Sequence, residues 1–291
     1  MTQGIKMSNP ENPIVTKFYS KRILEEIDEY CVKTYDGGHR NHLGASLIGD
    51  DCKRRLWYIL RWCQKEEFDG RKLRLFNRGH REEERFLEWL EGIGCNVLGV
   101  DIDGNQHRIS DCLGHFGGSL DGKGFLPEKY DIKEQILFEF KTNKTGSEFD
   151  KLAKVGMIVA KPQHFAQMST YGYKEGLNFC LYLNINKNDD TFYVELVKLD
   201  HNLGKQMIAK AEQIIFSQVA PERISENLTY FKCSYCHFKQ ICHFQKDPEK
   251  NCRSCINARP VEDAQWFCSH FNSVIPAEFI KTSCPEWVKI C

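Results

Sequence analysis

Three residues in one stretch have the types and spacing that phosphodiester hydrolysis requires. Asp121 stands in the run GGSLDGKG, and Glu139 and Lys141 follow in ILFEFKTN. Side chains alternate faces along an extended strand, so Glu139 and Lys141 share one face while Phe138 and Phe140 take the other. Glycines around Asp121 let backbone approach a ligand closely. A pair of carboxylates suits Mg²⁺ or Mn²⁺, which keep waters and phosphate oxygens beside a few protein oxygens. Such an ion lowers the pKa of a bound water and neutralises charge on a phosphate, while Lys141 would orient the nucleophile or offset the same charge. The same pattern also describes an ordinary surface Glu/Lys strand beside a glycine turn, so other elements must position it.

One such element is the helical run LRLFNRGHREEERFLEWLEGIG upstream. At about 100° per residue, Phe76, Gly79, Leu87 and Leu90 fall within about 40° of Glu83, which puts Glu83 on the apolar stripe and Glu82 and Glu84 toward solvent. A carboxylate there is costly unless it is paired or metal-bound. An arginine partner would satisfy it equally, and His80 lies at the edge of the same stripe. Downstream, Pro162 opens a helix on which Gln163, Gln167 and Tyr171 recur every four residues. That face is suited to gripping a nucleic-acid backbone, or is simply solvated.

Taken together, Gly79-x-x-x-Glu83, Gly118-Ser-Leu-Asp121-Gly122, Glu139-Phe140-Lys141 and Gln167-x-x-x-Tyr171 resemble the ordered motifs of RecB-type PD-(D/E)XK nucleases, over roughly residues 42–245. The resemblance implies an α/β restriction-endonuclease-like core, with Glu83, Asp121 and Glu139 as ligands of Mg²⁺ or Mn²⁺. It also implies Lys141 as the catalytic lysine, and Gln167 and Tyr171 as substrate-positioning residues. Many relatives carry a histidine where this chain has Glu83, which keeps His80 as a rival ligand. DNA is the implied substrate, as single strands or duplex ends. The implied setting is a bacterial or phage-infected cytoplasm, with a possible recombination or replication partner protein. A non-catalytic DNA-binding scaffold that kept the fold is the other class.

Fourteen cysteines are unevenly placed, eight of them between Cys233 and Cys291. The opening MTQGIKMSNPENP is polar and no apolar run reaches the length of a membrane span, so a reducing compartment is expected, where clustered thiols favour metals over disulfides. Cys233-x2-Cys236-x5-Cys242, with the distant Cys52 in GDDCKRRLWY, resembles the iron–sulfur staple of RecB-like nucleases associated with CRISPR adaptation and of the AddB subunit. That resemblance implies a 4Fe-4S cluster on these four thiolates. Zinc completed by His237 or His243 is the competing reading. Cys252-x2-Cys255, Cys268 and Cys284 approximate the spacing of a zinc ribbon, with His270 a rival for the fourth ligand. Cys31, Cys63, Cys95, Cys112, Cys180 and Cys291 read as buried free thiols.

Forty basic and forty acidic residues cancel over 291 residues, so no general affinity for nucleic acid follows. Locally, ten Lys/Arg face four Asp/Glu between Asp51 and Arg81. That segment, with Trp57, Tyr58, Trp62, Phe68 and Phe76, could track a single strand by phosphate contact and stacking; Trp57 and Trp62 read as core, and Arg54 and Arg55 as even candidates for DNA contact. Three divisions are expected: a helical segment 1–45, a nuclease domain 46–246 closed by the cluster, and a zinc-ribbon-like tail 250–291. Periodicity predicts helices over 16–33, 51–63, 73–91, 149–155, 163–174 and 203–219, and strands over 95–100, 115–118, 136–142, 179–184 and 191–199. A helix-flanked mixed sheet follows.

Overall fold

The computed structural model describes residues 13–144 and 146–291. In chain order the first elements are α1 (Pro13–Tyr35), β1 (Leu43–Gly44), α2 (Lys53–Leu60), α3 (Gly70–Gly92), β2 (Asn96–Leu98), β3 (Arg108–Asp111), β4 (Phe116–Ser119), β5 (Gly122–Phe125) and β6 (Ile136–Asn143). They are followed by α4 (Ser147–Ala160), α5 (Pro162–Glu175), β7 (Phe179–Asn186), β8 (Phe192–Lys198), α6 (His201–Phe216), α7 (Phe231–Ser234) and α8 (Lys239–Phe244). Three short strands close the chain: β9 (Ala258–Pro260), β10 (Trp266–Cys268) and β11 (Ser273–Val274). Among the described residues, no helix is long and apolar enough to cross a membrane.

These residues form two compact units. One comprises the chain up to Gly38 with Glu67–Arg81, and the other comprises His39–Glu66 with Glu82–Cys291. In the first, Arg74 pairs with Asp28, and the rings of Phe68 and Phe76 meet edge-to-face at 5.2 Å. Phe18, Ile23, Ile27 and Tyr30 of α1 are exposed, as is Phe76.

The second unit is built on a five-stranded mixed sheet of order β2-β5-β6-β7-β8. Only β6 and β7 are parallel, and α4 and α5 form the crossover between them. A second sheet, β1-β4-β3, abuts the first through one run of chain: β4 leaves it and β5 enters the other, with Leu120 and Asp121 at the joint. The expected turn around Asp121 is therefore a strand changing sheets, and GKGF is strand rather than loop. Gly124 belongs there because a Cβ would fall 1.8 Å from the Asn96 carbonyl of the neighbouring strand.

The alternation expected in 137–141 holds. Phe138 and Phe140 join Leu183, Ile185, Phe86 and Leu90 in one core cluster, with Phe86 and Phe140 stacked at 4.9 Å. The stripe on α3 is displaced by one residue from the expected one. From residue 82 onward, Glu82, Phe86 and Leu90 are the buried positions of the helix, Glu83 is half-buried, and Glu82 is only 6 % exposed. The expectation that Glu82 faces solvent is thus corrected: Arg85 Nη1 donates to Glu82 at 2.6 Å and makes its burial tolerable.

The larger cluster centres on Trp57, Tyr58, Met168, Tyr171, Tyr182, Ile214 and Trp266. Trp57 and Trp62 are buried, as expected. Arg54 donates to the Tyr58 hydroxyl at 2.8 Å and the Pro221 carbonyl at 2.9 Å, and Arg55 pairs with Asp50 at 2.7 Å, so both are committed internally. Residues 250–291 share this core. Arg253 lies over the rings of Trp62 (3.9 Å) and Trp266 (4.9 Å) and donates to the Asn41 carbonyl at 2.9 Å, while Arg61 donates to the Ala258 carbonyl at 2.9 Å. Burial pulls the pKa of Arg61 down to about 10 and that of Arg253 to about 9.

Gly124→Ala should lower stability by about 1–3 kcal/mol, read as a lower urea midpoint at unchanged slope. Gly92→Ala, where a Cβ meets nothing within 4 Å among the described residues, should change it by less than about 0.5 kcal/mol. Equal effects would contradict the close approach of β2 and β5.

Candidate active site

β5 pairs antiparallel with β6 so that Gly122 faces Phe138, which brings Asp121 to the level of Glu139. The Phe140 N–H donates to Asp121 Oδ2 at 2.7 Å, fixing that carboxylate against β6. Lys141 Nζ bonds Glu139 Oε1 and lies 3.9 Å from Asp121 Oδ2. Glu139 is 0 % exposed, and its Oε2 is buried with no hydrogen-bond partner among the described residues.

Burial pushes the Glu139 pKa up, from 4.5 to about 7; the Lys141 ammonium opposes the rise, and Asp121 and Glu83 add to it. Glu83 therefore reaches the field of this site. Burial works against the charge on Lys141, but Glu139 and Asp121 outweigh it and hold its pKa above the ordinary lysine range.

Helix α5 lies over the same face. Gln163 is exposed, but Gln167 and Tyr171 are buried, so the polar stripe is neither solvated nor wholly available to grip a backbone. Gln167 Nε2 donates to the Tyr171 hydroxyl at 3.2 Å. Burial, then Glu139, raises the Tyr171 pKa and keeps the phenol protonated. Gly118 makes room for it: a Cβ at that position would stand 2.5 Å from the Tyr171 hydroxyl.

Sequence reasoning missed three further residues on this face. Tyr182 is registered with Glu139, and Asn184 with Lys141. His164 Nδ1 and the Tyr182 hydroxyl are 3.0 Å apart, and Asn184 Nδ2 donates to that hydroxyl at 3.0 Å. Burial, then Lys141, pulls the His164 pKa down to about 3, so the imidazole is neutral. The only available signal was the alternation Tyr182, Asn184, Asn186 in β7. On β8, Glu195 takes the Met157 N–H at 2.7 Å, which α4 releases where Gly156 breaks the helix at φ 75°.

Cys52, Cys233, Cys236 and Cys242 line one cavity of about 350 Å³. Cys52 caps α2, its Sγ accepting the Arg55 N–H at 3.4 Å. Burial, and then the neighbouring Cys52 and Cys242, raises the pKa values of Cys233 and Cys236. His237, a rival ligand, has its Nε2 2.8 Å from the Lys65 carbonyl. Cys252, Cys255, Cys268, Cys284 and His270 line a second cavity of about 260 Å³. Burial, then Cys284, Cys255 and Cys268, pushes Cys252 up to about 11. Among the described residues, no three His, Cys, Asp or Glu side chains converge closely enough to hold a metal ion as they stand. Cys31, Cys63, Cys95, Cys112 and Cys180 are buried thiols, and Cys291 is half-buried.

No protein-family model and no curated protein matches the chain. Similar solved structures include that of LHK-Exo in complex with dAMP, at 17% identity and a TM-score of 0.44 over 60% of this chain and 86% of that one. The structure of an alkaline exonuclease (LHK-Exo) from Laribacter hongkongensis gives 18% and 0.43 over 65% and 90%. The structure of SSO0001 gives 17% and 0.38 over 79% and 96%.

The Glu139 carboxyl should make the cation-free protein less stable as pH rises. Its folded pKa lies above its unfolded one, so the folded state holds the proton more tightly, and stability is lost between about pH 4.5 and 7. In EDTA, the stability of the wild type relative to Glu139→Gln should fall by roughly 1–3 kcal/mol from pH 4.5 to pH 8. A flat difference, or one of opposite slope, would contradict the burial of this charge.

Proposed function

We propose that the chain is a divalent-cation-dependent nuclease that hydrolyses phosphodiester bonds from DNA ends. The observation that carries this reading is Glu139 Oε2, a buried carboxylate oxygen without a partner among the described residues, on a carboxylate whose other oxygen bonds Lys141, itself 3.9 Å from Asp121 Oδ2. An unpaired buried carboxylate oxygen is costly unless something binds it. The donors are hard oxygens, and a magnesium-type site needs only one or two carboxylates beside waters and phosphate oxygens, so the absence of three converging ligands does not count against it. Asp121 and Glu139 would hold Mg²⁺ or Mn²⁺, with Glu83 as the third carboxylate. Once bound, the ion supplies a more acidic water and stabilises charge on the phosphate.

The chain's own groups do the rest. Lys141 stays charged, beside both carboxylates, and can orient the attacking oxygen or offset charge on the phosphate. Tyr171 stays a hydrogen-bond donor, oriented by Gln167, and positions substrate. DNA as substrate and attack at ends rest on the motif resemblance.

The same reading assigns Cys52, Cys233, Cys236 and Cys242 to a 4Fe-4S cluster. Four thiols lining one cavity are the donor set that such a cluster requires. Cys252, Cys255, Cys268 and Cys284 are the donor set of a structural Zn²⁺ site, which would form if the loops around their cavity closed.

With anaerobically purified protein and end-labelled DNA in Mg²⁺ or Mn²⁺, Glu139→Gln should cut about 10²–10³-fold more slowly, or not at all. Wild-type protein that binds DNA but never cuts it would establish the scaffold alternative. Cys236→Ala should give colourless, less soluble protein; an unchanged brown absorbance would overturn the cluster assignment.

A further inference from the structure

The register of β6 with β7 sets Asn184 directly beside Lys141 on the same sheet face. Neighbouring strands stand about 4.8 Å apart, so two such side chains share one space. Asn184 is fully buried, and its orientation is fixed from behind. Its Nδ2 donates to the Tyr182 hydroxyl, which has the neutral His164 ring as its other neighbour. That leaves Asn184 Oδ1, which is buried and has no hydrogen-bond partner among the described residues. A buried amide oxygen left unpaired requires an explanation. Lys141 is the cation registered next to it; an ammonium has three donors, and this one bonds Glu139 Oε1.

We propose that Asn184 is the positioning residue for Lys141. Its Oδ1 accepts a hydrogen bond from the Lys141 ammonium when the Glu139 carboxylate is engaged elsewhere, so that the ammonium stays over the reacting phosphate. This deepens the nuclease reading and rests on it. Tyr182 and His164 serve the same end indirectly, because they hold the amide with its oxygen toward the lysine. The arrangement also accounts for a strand burying Tyr182 and Asn184 where apolar side chains would pack at lower cost.

Three variants test this. Asn184→Leu keeps the branched outline and removes both polar atoms, Asn184→Asp keeps an acceptor, and Lys141→Met removes the group that Asn184 is held to act through. In the wild-type background, Asn184→Leu should lower kcat about 10-fold or more, with KM and the Mg²⁺ midpoint within about 2-fold. Asn184→Asp should retain kcat within about 3-fold. In the Lys141→Met background, Asn184→Leu should have no further effect, since removing a residue that acts through another adds nothing once the other is gone. A purely structural role would reduce kcat in both backgrounds and would overturn the proposal, as would an Asn184→Leu variant as active as wild type.

A second readout does not depend on turnover. The ¹⁵N signal of the Lys141 ammonium, assigned by its loss in Lys141→Met, should move in Mg²⁺-loaded Asn184→Leu and stay near its wild-type position in Asn184→Asp. Wild-type protein that never cuts DNA but shows this shift would sink the nuclease reading and leave the positioning role standing. Wild-type protein that cuts DNA while the signal ignores Asn184 would do the reverse.

Discussion

The structure turns on one buried carboxylate. Glu139 sits in the interior of the five-stranded sheet with no solvent exposure, and an ionised group there persists only while cations stand against it. Lys141 supplies one, two residues further along the same strand face. The pairing is lopsided: Lys141 satisfies one oxygen of Glu139, the other has no partner among the described residues, and Asp121 and Glu83 push the carboxyl toward protonation. Such a centre is strained in the electrostatic sense, and binding a divalent ion is the event that would relieve it.

The scaffold is arranged around that centre. The parallel β6/β7 pair needs a crossover, and α4 and α5 supply it, bringing Tyr171, Gln167 and His164 over the polar face. The other face is sealed by Phe86, Leu90 and the phenylalanines of β6. Close approach of α5 and α6 depends on Gly204, where a Cβ would stand 2.2 Å from the Ser169 carbonyl. The C-terminal residues do not stand apart: Arg61 and Arg253, interleaved with Trp62 and Trp266, tie them into the larger core.

Much of this was legible in the sequence. The alternation of ILFEFKTN put Glu139 and Lys141 on one face, and its strand spans Ile136–Asn143. The mixed α/β character followed from the order of periodic segments. Other features were hidden for physical reasons. GGSLDGKG has no β-branched alternation, so β5 reads as a turn although backbone pairing with Asn96–Leu98 makes it a strand. The stripe on α3 was misplaced by one residue because Phe76, which belongs to the other compact unit, was counted with Leu87 and Leu90. Burial of Gln167 and Tyr171 depends on what packs over α5, which no local pattern encodes. Asn184 drew no notice because an asparagine in a strand looks like a poor strand former until its neighbour across the sheet is known.

The measurement that tests the central claim most directly is anomalous scattering from crystals of the protein grown in Mn²⁺ near pH 8. The account predicts a manganese peak within coordination distance of Asp121 and of Glu139 Oε2, with Lys141 alongside. Well-ordered carboxylates with no peak between them, or manganese found only at other positions, would contradict it.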